Sequence, residues 1–154
     1  MLKTTNNIIK RRSDCPISFS LDIFGDKWTL LILRDIMFYN RRRFSDFTPQ
    51  EHMATNILSD RLTKLEAVGL IAKLRDPTTK NQYVYDVTPA SKTLLPLLIE
   101  MTLWGLEHDP ESLASKNFIK RAENERTKVS REINRSIQRG KFADYRSHVM
   151  GINP

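Results

Sequence analysis

The sequence predicts a mainly α-helical α+β domain with a single β-hairpin. Residues 54–68 have apolar positions at helical spacing and end at Gly69, a residue typical of helix ends. Two β-rich runs, 70–75 and 82–87, follow, and residues 76–81 between them have the composition of a turn. This order of helix, stop and hairpin predicts a winged helix-turn-helix domain, in which a recognition helix leads into a wing.

The segments before residue 54 predict three further helices. Their expected ranges are 17–24, 27–38 and a short helix within 41–47. Gly25 is a suitable C-cap for the first helix, and Asp26 is predicted to cap the second. The second helix is too apolar for a surface helix and is assigned to the core. Phe44 and Phe47 are predicted to be the buried pair of the third helix.

The segment after the hairpin predicts a helix that is apolar around most of its girth. Thr88 has the position of an N-cap and Pro89 that of the first helical residue, while Pro96 is predicted to kink or split the helix. Such a helix must be covered on two sides, and we expect a second subunit to supply one of the covers. The sequence therefore predicts a homodimer that forms through the N-terminal and post-wing helices.

The composition of the chain limits which cellular compartment and which kind of binding partner are expected. Cys15 is the single cysteine among 154 residues, so no internal disulfide is expected. The N-terminus lacks the apolar core of a signal peptide, and the apolar run at 94–99 is too short to span a bilayer. We therefore expect a cytoplasmic protein without a membrane partner. The net charge of +7 favours a polyanionic partner, although most of the excess lies in residues 111–154.

The helix at 54–68 has an unusual polar face. Leu58, Leu62 and Leu65 form its packing stripe, and short polar side chains lie opposite them instead of the Lys/Glu mixture of a solvated face. Short donors and acceptors suit a helix that lies in the major groove, so the sequence predicts double-stranded DNA as the partner. The residues predicted to read base edges are Asn56, Ser59 and Thr63.

Other residues are predicted to position this helix on the DNA. They are Thr55, Arg43 and Lys64, which are assigned to phosphates, and Arg75 and Lys80, which are assigned to the flanking minor groove. Local positive charge is expected from the run at 41–43 and from Lys73, Arg75 and Lys80 of the wing. Asp60 fits this face only if it accepts a hydrogen bond from cytosine or pairs with Lys64.

The tail predicts a final amphipathic helix over about residues 117–138, with one basic face. Either this helix packs on the domain with its basic face in solvent, or it is an auxiliary phosphate contact or a lid over an effector pocket. The predicted segments are a flexible basic arm at 1–13, a DNA-binding and dimerisation domain at 14–111, and a basic helical extension at 112–154.

Two other kinds of function remain open. The same helix face would also suit a winged-helix protein-interaction module without operator-specific DNA binding, and a small-molecule sensor without DNA affinity is a third, weaker interpretation. Catalysis is not expected, because His52, His108 and His148 are widely separated and no phosphate-binding glycine loop or local nucleophile motif occurs. No metal ion or cofactor is expected.

Several short motifs occur along the chain, and their combination and order make a specific signal. They are CPI at 15–17, LDIFGDKWTLLILRD at 21–35, RRFSDF at 42–47, ATNILSDRL at 54–62, EAVGLI at 66–71, YDVTP at 85–89 and WG at 104–105. Over about residues 15–108 the chain thereby resembles the HxlR family of MarR-like transcriptional regulators. The resemblance implies a dimeric winged-helix protein that binds an operator with dyad symmetry and usually represses. His52 stands where family members often have Gly.

The resemblance also singles out Cys15. In several family members the thiol at this position senses electrophiles or oxidants, and a nearby cation, from Lys27 or the run at 41–43, would favour the reactive thiolate. With one cysteine in the chain, the switch is limited to alkylation, a mixed thiol adduct or a bridge between the Cys15 residues of two subunits. The alternative is a small buried residue at the dimer helix.

Overall fold

The computed structural model of the chain has a hairpin directly after its fourth helix. It describes residue 9, the ranges 11–47, 52–79 and 81–112, and residues 120, 124, 128, 131 and 135. The elements are α1 (Pro16–Phe24), α2 (Thr29–Tyr39), α3 (Phe44–Phe47), α4 (Thr55–Ala67), β1 (Ile71–Arg75), β2 (Tyr83–Val87), α5 (Pro89–Lys92) and α6 (Leu95–His108). This order confirms the predicted α+β class. The chain groups into two compact units, Met1–Ile36 with Arg41–Ser91, and Met37–Asn40 with Lys92–Pro154.

The start of α2 differs from the prediction, because Asp26 fixes a turn before the helix begins. Its Oδ1 accepts hydrogen bonds from the backbone N–H groups of Trp28 and Thr29 at 2.9 and 3.0 Å, and its Oδ2 accepts one from Thr29 Oγ1 at 2.6 Å. Burial alone would raise the pKa of Asp26, but these hydrogen bonds and the charge of Arg61 lower it below its ordinary value. Asp26 therefore caps the helix as predicted, and the first helical residue is Thr29 instead of Lys27.

The recognition helix α4 ends at a residue with a left-handed backbone. Gly69 has a φ of +76°, a conformation that glycine adopts without steric cost. The N–H of Gly69 donates to Glu66 O at 3.0 Å and the N–H of Leu70 donates to Leu65 O at 2.9 Å. These two bonds form a Schellman motif, which satisfies the last helical carbonyls and directs the chain into β1.

The first unit has its core beneath α4. The predicted packing stripe of α4 is confirmed, since Leu58, Leu62 and Leu65 are all buried. The prediction for α3 is half wrong: Phe47 is 1% exposed, whereas Phe44 is 36% exposed because it begins a helix of only four residues and lines a groove beside the hairpin. The other buried apolar residues of this unit are Ile23, Ile32, Leu33, Ile36, Met53, Val68, Leu70, Ile71 and Tyr85.

The hairpin is an antiparallel pair that places alternate residues on opposite faces. Its register pairs Ile71 with Val87 at the base and Arg75 with Tyr83 near the tip. The N–H of Tyr85 also donates to Arg42 O at 2.8 Å, so β2 is bonded on both edges. The loop that precedes α3 is thereby fastened to the wing.

The apolar helix that is predicted after the hairpin is split in two. α5 ends at Lys92, and α6 begins at Leu95 with Pro96 in its first turn, where a missing N–H costs nothing. One side of α6 is buried and the other exposes apolar side chains. The buried residues are Leu95, Leu98, Ile99 and Leu103, and the exposed ones are Leu97, Met101 and Trp104.

The five described tail residues, Lys120, Asn124, Lys128, Arg131 and Arg135, are helical and exposed, while the predicted apolar arc of this helix lies outside the described residues. His52 has a φ of +51°, a left-handed conformation that glycine adopts at lower steric cost. None of the helices in the described part of the chain combines the length and apolarity that crossing a bilayer needs.

Candidate nucleic-acid interface

The outer face of α4 carries the side chains that are predicted to read bases. Thr55, Asn56, Ser59 and Thr63 are all exposed. Thr63 Oγ1 donates to the Ser59 carbonyl at 2.9 Å, which leaves the lone pairs of the hydroxyl available to a donor. Among the described residues the Asn56 amide has no side-chain partner, so its donor and acceptor are both open to a ligand.

Asp60 and Lys64 do not pair with each other. Asp60 Oδ2 instead accepts from Arg61 at 2.9 Å, and the same guanidinium reaches Asp26 Oδ1 at 3.2 Å. Lys64 Nζ donates to the backbone carbonyl of Asp22 at 3.0 Å. Lys64 therefore fastens α4 to the end of α1, and its assignment to a phosphate stays a prediction.

The arginine run at 41–43 is compensated by three carboxylates. Arg41 donates to Asp35 at 2.9 Å, Arg42 pairs with Asp86 of β2, and Arg43 pairs with Asp76 at 2.7 Å. These carboxylates come from α2, from the wing strand and from the wing turn. The positive charge that the sequence predicts here is thus largely neutralised within the protein, and the arginines connect the helices to the wing.

Arg43 and Asp76 form the most elaborate of these connections. Arg43 Nε donates to Asp76 Oδ2 at 2.8 Å and its Nη2 donates to Thr78 Oγ1 at 3.0 Å. Asp76 Oδ1 also accepts from the N–H and the hydroxyl of Thr78, at 2.8 and 2.7 Å. The two bonds from Thr78, and after them the Arg43 guanidinium, lower the pKa of Asp76 from 3.8 to about 2. A buried, ionised carboxylate therefore fixes the wing turn.

This shift predicts a dependence of stability on pH. Because the pKa of Asp76 is about 2 in the folded protein and 3.8 ordinarily, its contribution is complete above about pH 4 and is lost as the pH falls towards 2. We expect Asp76→Asn to be less stable than the wild type at pH 7, with a difference that shrinks between pH 4 and pH 2. Urea denaturation at several pH values measures this difference.

The matched control for this experiment is Asp60→Asn, which removes one carboxylate from an exposed position. A difference between wild type and Asp76→Asn that does not change from pH 7 to pH 2 would contradict the role assigned to the Asp76 charge. Such a result would assign the effect of the substitution to hydrogen-bond geometry alone.

The wing carries a second set of cations, which sequence reasoning recognised only in part. Lys73 Nζ lies 4.7 Å and the Arg75 guanidinium carbon 5.8 Å from the centre of the Tyr83 ring. Lys73 and Arg75 were both expected as cations of the wing, and Arg75 also as a DNA contact, whereas the part of Tyr83 was not predicted. The sequence did contain a signal for this arrangement. Lys73 and Arg75 are alternate residues of one strand and Tyr83 lies on the strand that pairs with it, so the three side chains share one face of the hairpin. Lys80 lies outside the described residues.

Cys15 is exposed and is the N-cap residue of α1. Its N–H donates to Ser13 Oγ at 3.3 Å, and its carbonyl accepts from the N–H of Phe19 at 3.0 Å. The predicted cation Lys27 packs on Trp28, with Nζ 4.5 Å from the ring centre. In the single chain the thiol is therefore open to solvent and to reagents.

The model of the HxlR-like helix-turn-helix family matches residues 23–113. The chain belongs to this family. Among curated relatives, an HTH-type transcriptional regulator of Halalkalibacterium halodurans is 31% identical over 101 residues, which cover 65% of this chain and 89% of the relative. The HTH-type transcriptional regulator YybR of Bacillus subtilis is 28% identical over 121 residues, which cover 74% and 93% of the two chains.

Solved structures agree with this membership. The HxlR-like chain superposes on PA1607, a protein assigned as a transcription factor, with a TM-score of 0.61 and 29% identity over 70% of this chain and 78% of that one. The redox regulator HypR in its oxidised form gives a TM-score of 0.51 and 28% identity over 61% and 97%. The protein is thus a transcriptional regulator of the helix-turn-helix type and not an enzyme.

Proposed function

We propose that this HxlR-like regulator binds, as a homodimer, a double-stranded DNA operator with dyad symmetry and represses transcription from it. The observation that carries the proposal is the exposed row of short polar side chains on α4, immediately before a hairpin whose described cations, Lys73 and Arg75, form no ion pair. In the proposed complex, Asn56, Ser59 and Thr63 read base edges in the major groove and Thr55 contacts phosphate. Arg43 positions the wing through its bonds to residues of the wing turn.

The proposed dimer is supported by exposed apolar residues on two helices. Leu97, Met101 and Trp104 lie at helical spacing on α6, and Ile17 and Leu21 do so on α1. Trp104 is 66% exposed and stacks on His108, with ring centres 4.4 Å apart. Large apolar side chains in such a row are typical of a surface that a second subunit covers.

Footprinting of the DNA upstream of the protein's own coding sequence tests the proposal. We expect protection of two symmetric half-sites about 34 Å apart, one turn of B-DNA. Operator binding is expected to exceed binding to random DNA by at least about a thousandfold at physiological salt. Equal affinity for both DNAs would instead favour the interaction-module alternative, in which the same face of α4 binds another protein.

We also propose that electrophiles or oxidants act on this regulator through Cys15. The exposed thiol and the structural similarity to the redox regulator HypR support this proposal. We expect diamide or an aldehyde to weaken operator binding by the wild type and to leave Cys15→Ser unchanged in a gel-shift assay. An equal response of the two proteins would assign sensing to another group.

A further inference from the structure

A groove lies between the start of α3 and one face of the hairpin, and we call it the wing groove. Its volume is about 370 Å³, near the lower end of the range of small-molecule sites, and it is open to solvent. Every residue that lines it belongs to the first compact unit. The lining residues used below are Arg43, Phe44, Lys73, Tyr83 and Tyr85.

The wing groove is lined by aromatic rings from two elements. Phe44 begins α3 and is 36% exposed, while Tyr83 of β2 is 44% exposed. Tyr85, also on β2, is nearly buried, with 9% exposure. Because a flat apolar ligand can cover rings from both elements at once, the groove suits an aromatic ligand better than a purely polar one.

Two hydrogen-bond donors in the wing groove are open to a ligand. Among the described residues, Lys73 forms no ion pair, and its Nζ lies 4.7 Å from the centre of the Tyr83 ring. Within the same part of the chain the nearly buried Tyr85 hydroxyl has no hydrogen-bond partner. Lys73 and Tyr85 are opposite each other in the hairpin register, so their side chains start on one face about 5 Å apart. A carboxylate, which only accepts hydrogen bonds, would satisfy both donors.

The charges of the wing groove favour an anion with a single charge. Arg43 also lines the groove, but it is already bound to Asp76 and Thr78. Lys73 therefore leaves one uncompensated positive charge, which matches a carboxylate. The phosphates of a DNA duplex would cover neither Phe44 nor Tyr83, because the rings of the bases are stacked inside the double helix.

We propose that the wing groove binds a small aromatic carboxylate and that this ligand is an effector of the regulator. Its carboxylate accepts hydrogen bonds from Lys73 Nζ and the Tyr85 hydroxyl, and its ring lies against Phe44 and Tyr83. The bound ligand neutralises one of the two described wing cations and thereby weakens operator binding. This effector role rests on the proposed function, whereas the binding site itself does not.

An NMR titration of the 15N-labelled full-length protein with 2-naphthoate tests the site. We expect saturable shifts of the amides of α3, β1 and β2. Two matched ligands separate the contributions: 2-naphthylmethanol has the same rings without the charge, and octanoate has the charge without a ring. We expect each to bind at least about tenfold more weakly than 2-naphthoate. Equal binding of 2-naphthylmethanol would contradict the role of Lys73, and equal binding of octanoate would contradict the aromatic walls.

Substitutions identify the two donors in the same titration. We expect Lys73→Gln to weaken 2-naphthoate binding at least about tenfold, and Tyr85→Phe, which retains the ring, to weaken it about threefold. Lys27→Gln is the matched control, because Lys27 is also exposed and stacked on an aromatic ring, and we expect unchanged binding. The ligand-free spectrum of each variant shows whether it folds. Wild-type affinity in Lys73→Gln would overturn the site, and an equal loss in Lys27→Gln would reduce the effect to net charge.

Operator binding with and without saturating 2-naphthoate tests the effector role. We expect the ligand to weaken operator binding by the wild type about fivefold and to leave Lys73→Gln unchanged. An unchanged operator affinity of the saturated wild type would overturn the effector role. A wild type that binds 2-naphthoate in the wing groove but binds no operator would instead remove the proposed function, and the effector role with it, while the site would stand.

Discussion

Phe47→Ala is expected to lower the free energy of unfolding by about 3–5 kcal/mol, the range seen when a buried aromatic ring is removed. Phe47 is 1% exposed, and its ring meets that of Tyr85 edge to face, with centres 6.4 Å apart and planes at 67°. The substitution leaves a cavity and removes this aromatic pair. Since Phe47 belongs to α3 and Tyr85 to β2, the loss falls at the junction between helix and wing.

Urea denaturation of the wild type, Phe47→Ala and Phe44→Ala measures the effect. Phe44 is a matched control because it is the same residue type, in the same short helix, but it is 36% exposed. We expect Phe44→Ala to cost about 1 kcal/mol or less. Similar losses for the two substitutions would show that α3 and the wing do not share the core described here.

Asn56→Ala is expected to lower operator affinity by about 1–3 kcal/mol and to relax the preference at one base pair. An amide pairs with the N6 and N7 edge of adenine through one donor and one acceptor, and alanine retains neither. Asn56 lies in the first turn of α4 and is exposed, so the substitution leaves the packing stripe intact. Binding to a set of operator variants with single base changes measures the preference directly.

Asn124→Ala provides the control for the loss of an exposed helical amide. Asn124 lies in the tail beyond the family match, and its Nδ2 donates to Lys120 O at 2.8 Å. We expect this substitution to leave the base preference unchanged. If Asn56→Ala weakens binding to operator and to random DNA equally, Asn56 does not read a base. The residues proposed to read base edges would then be Ser59 and Thr63 alone.

The parts of the fold that depend on local rules were predictable from the sequence. The bounds of α4 were predicted to within one residue, because the Leu58, Leu62 and Leu65 stripe and the Gly69 stop both act over a few residues. The hairpin was predicted as well, since a turn-forming segment separates two β-rich runs. The exposure of the polar face of α4 followed from the same helical periodicity.

The roles of the charged residues were not predictable in the same way. Arg43 and Asp76 are 33 residues apart, and Lys64 and the Asp22 carbonyl are 42 apart, so no local pattern indicates that they meet. A run of arginines looks the same in a sequence whether it faces DNA or three carboxylates. The burial of Phe44 was wrongly predicted for a related reason, because a helix of four residues has no established periodicity.

The second hydrogen-bonded edge of β2 has a consequence for the behaviour of the protein at high concentration. Because Tyr85 bonds to Arg42, the strand of the described hairpin without a second partner is β1. An unpaired strand edge is a template for the strands of other molecules, and Leu74, 47% exposed on β1, would add apolar contact to such an assembly. Lys73 and Arg75 flank Leu74 and repel a second copy of the same strand. The two cations thus act as gatekeepers against aggregation, whatever ligand the wing binds.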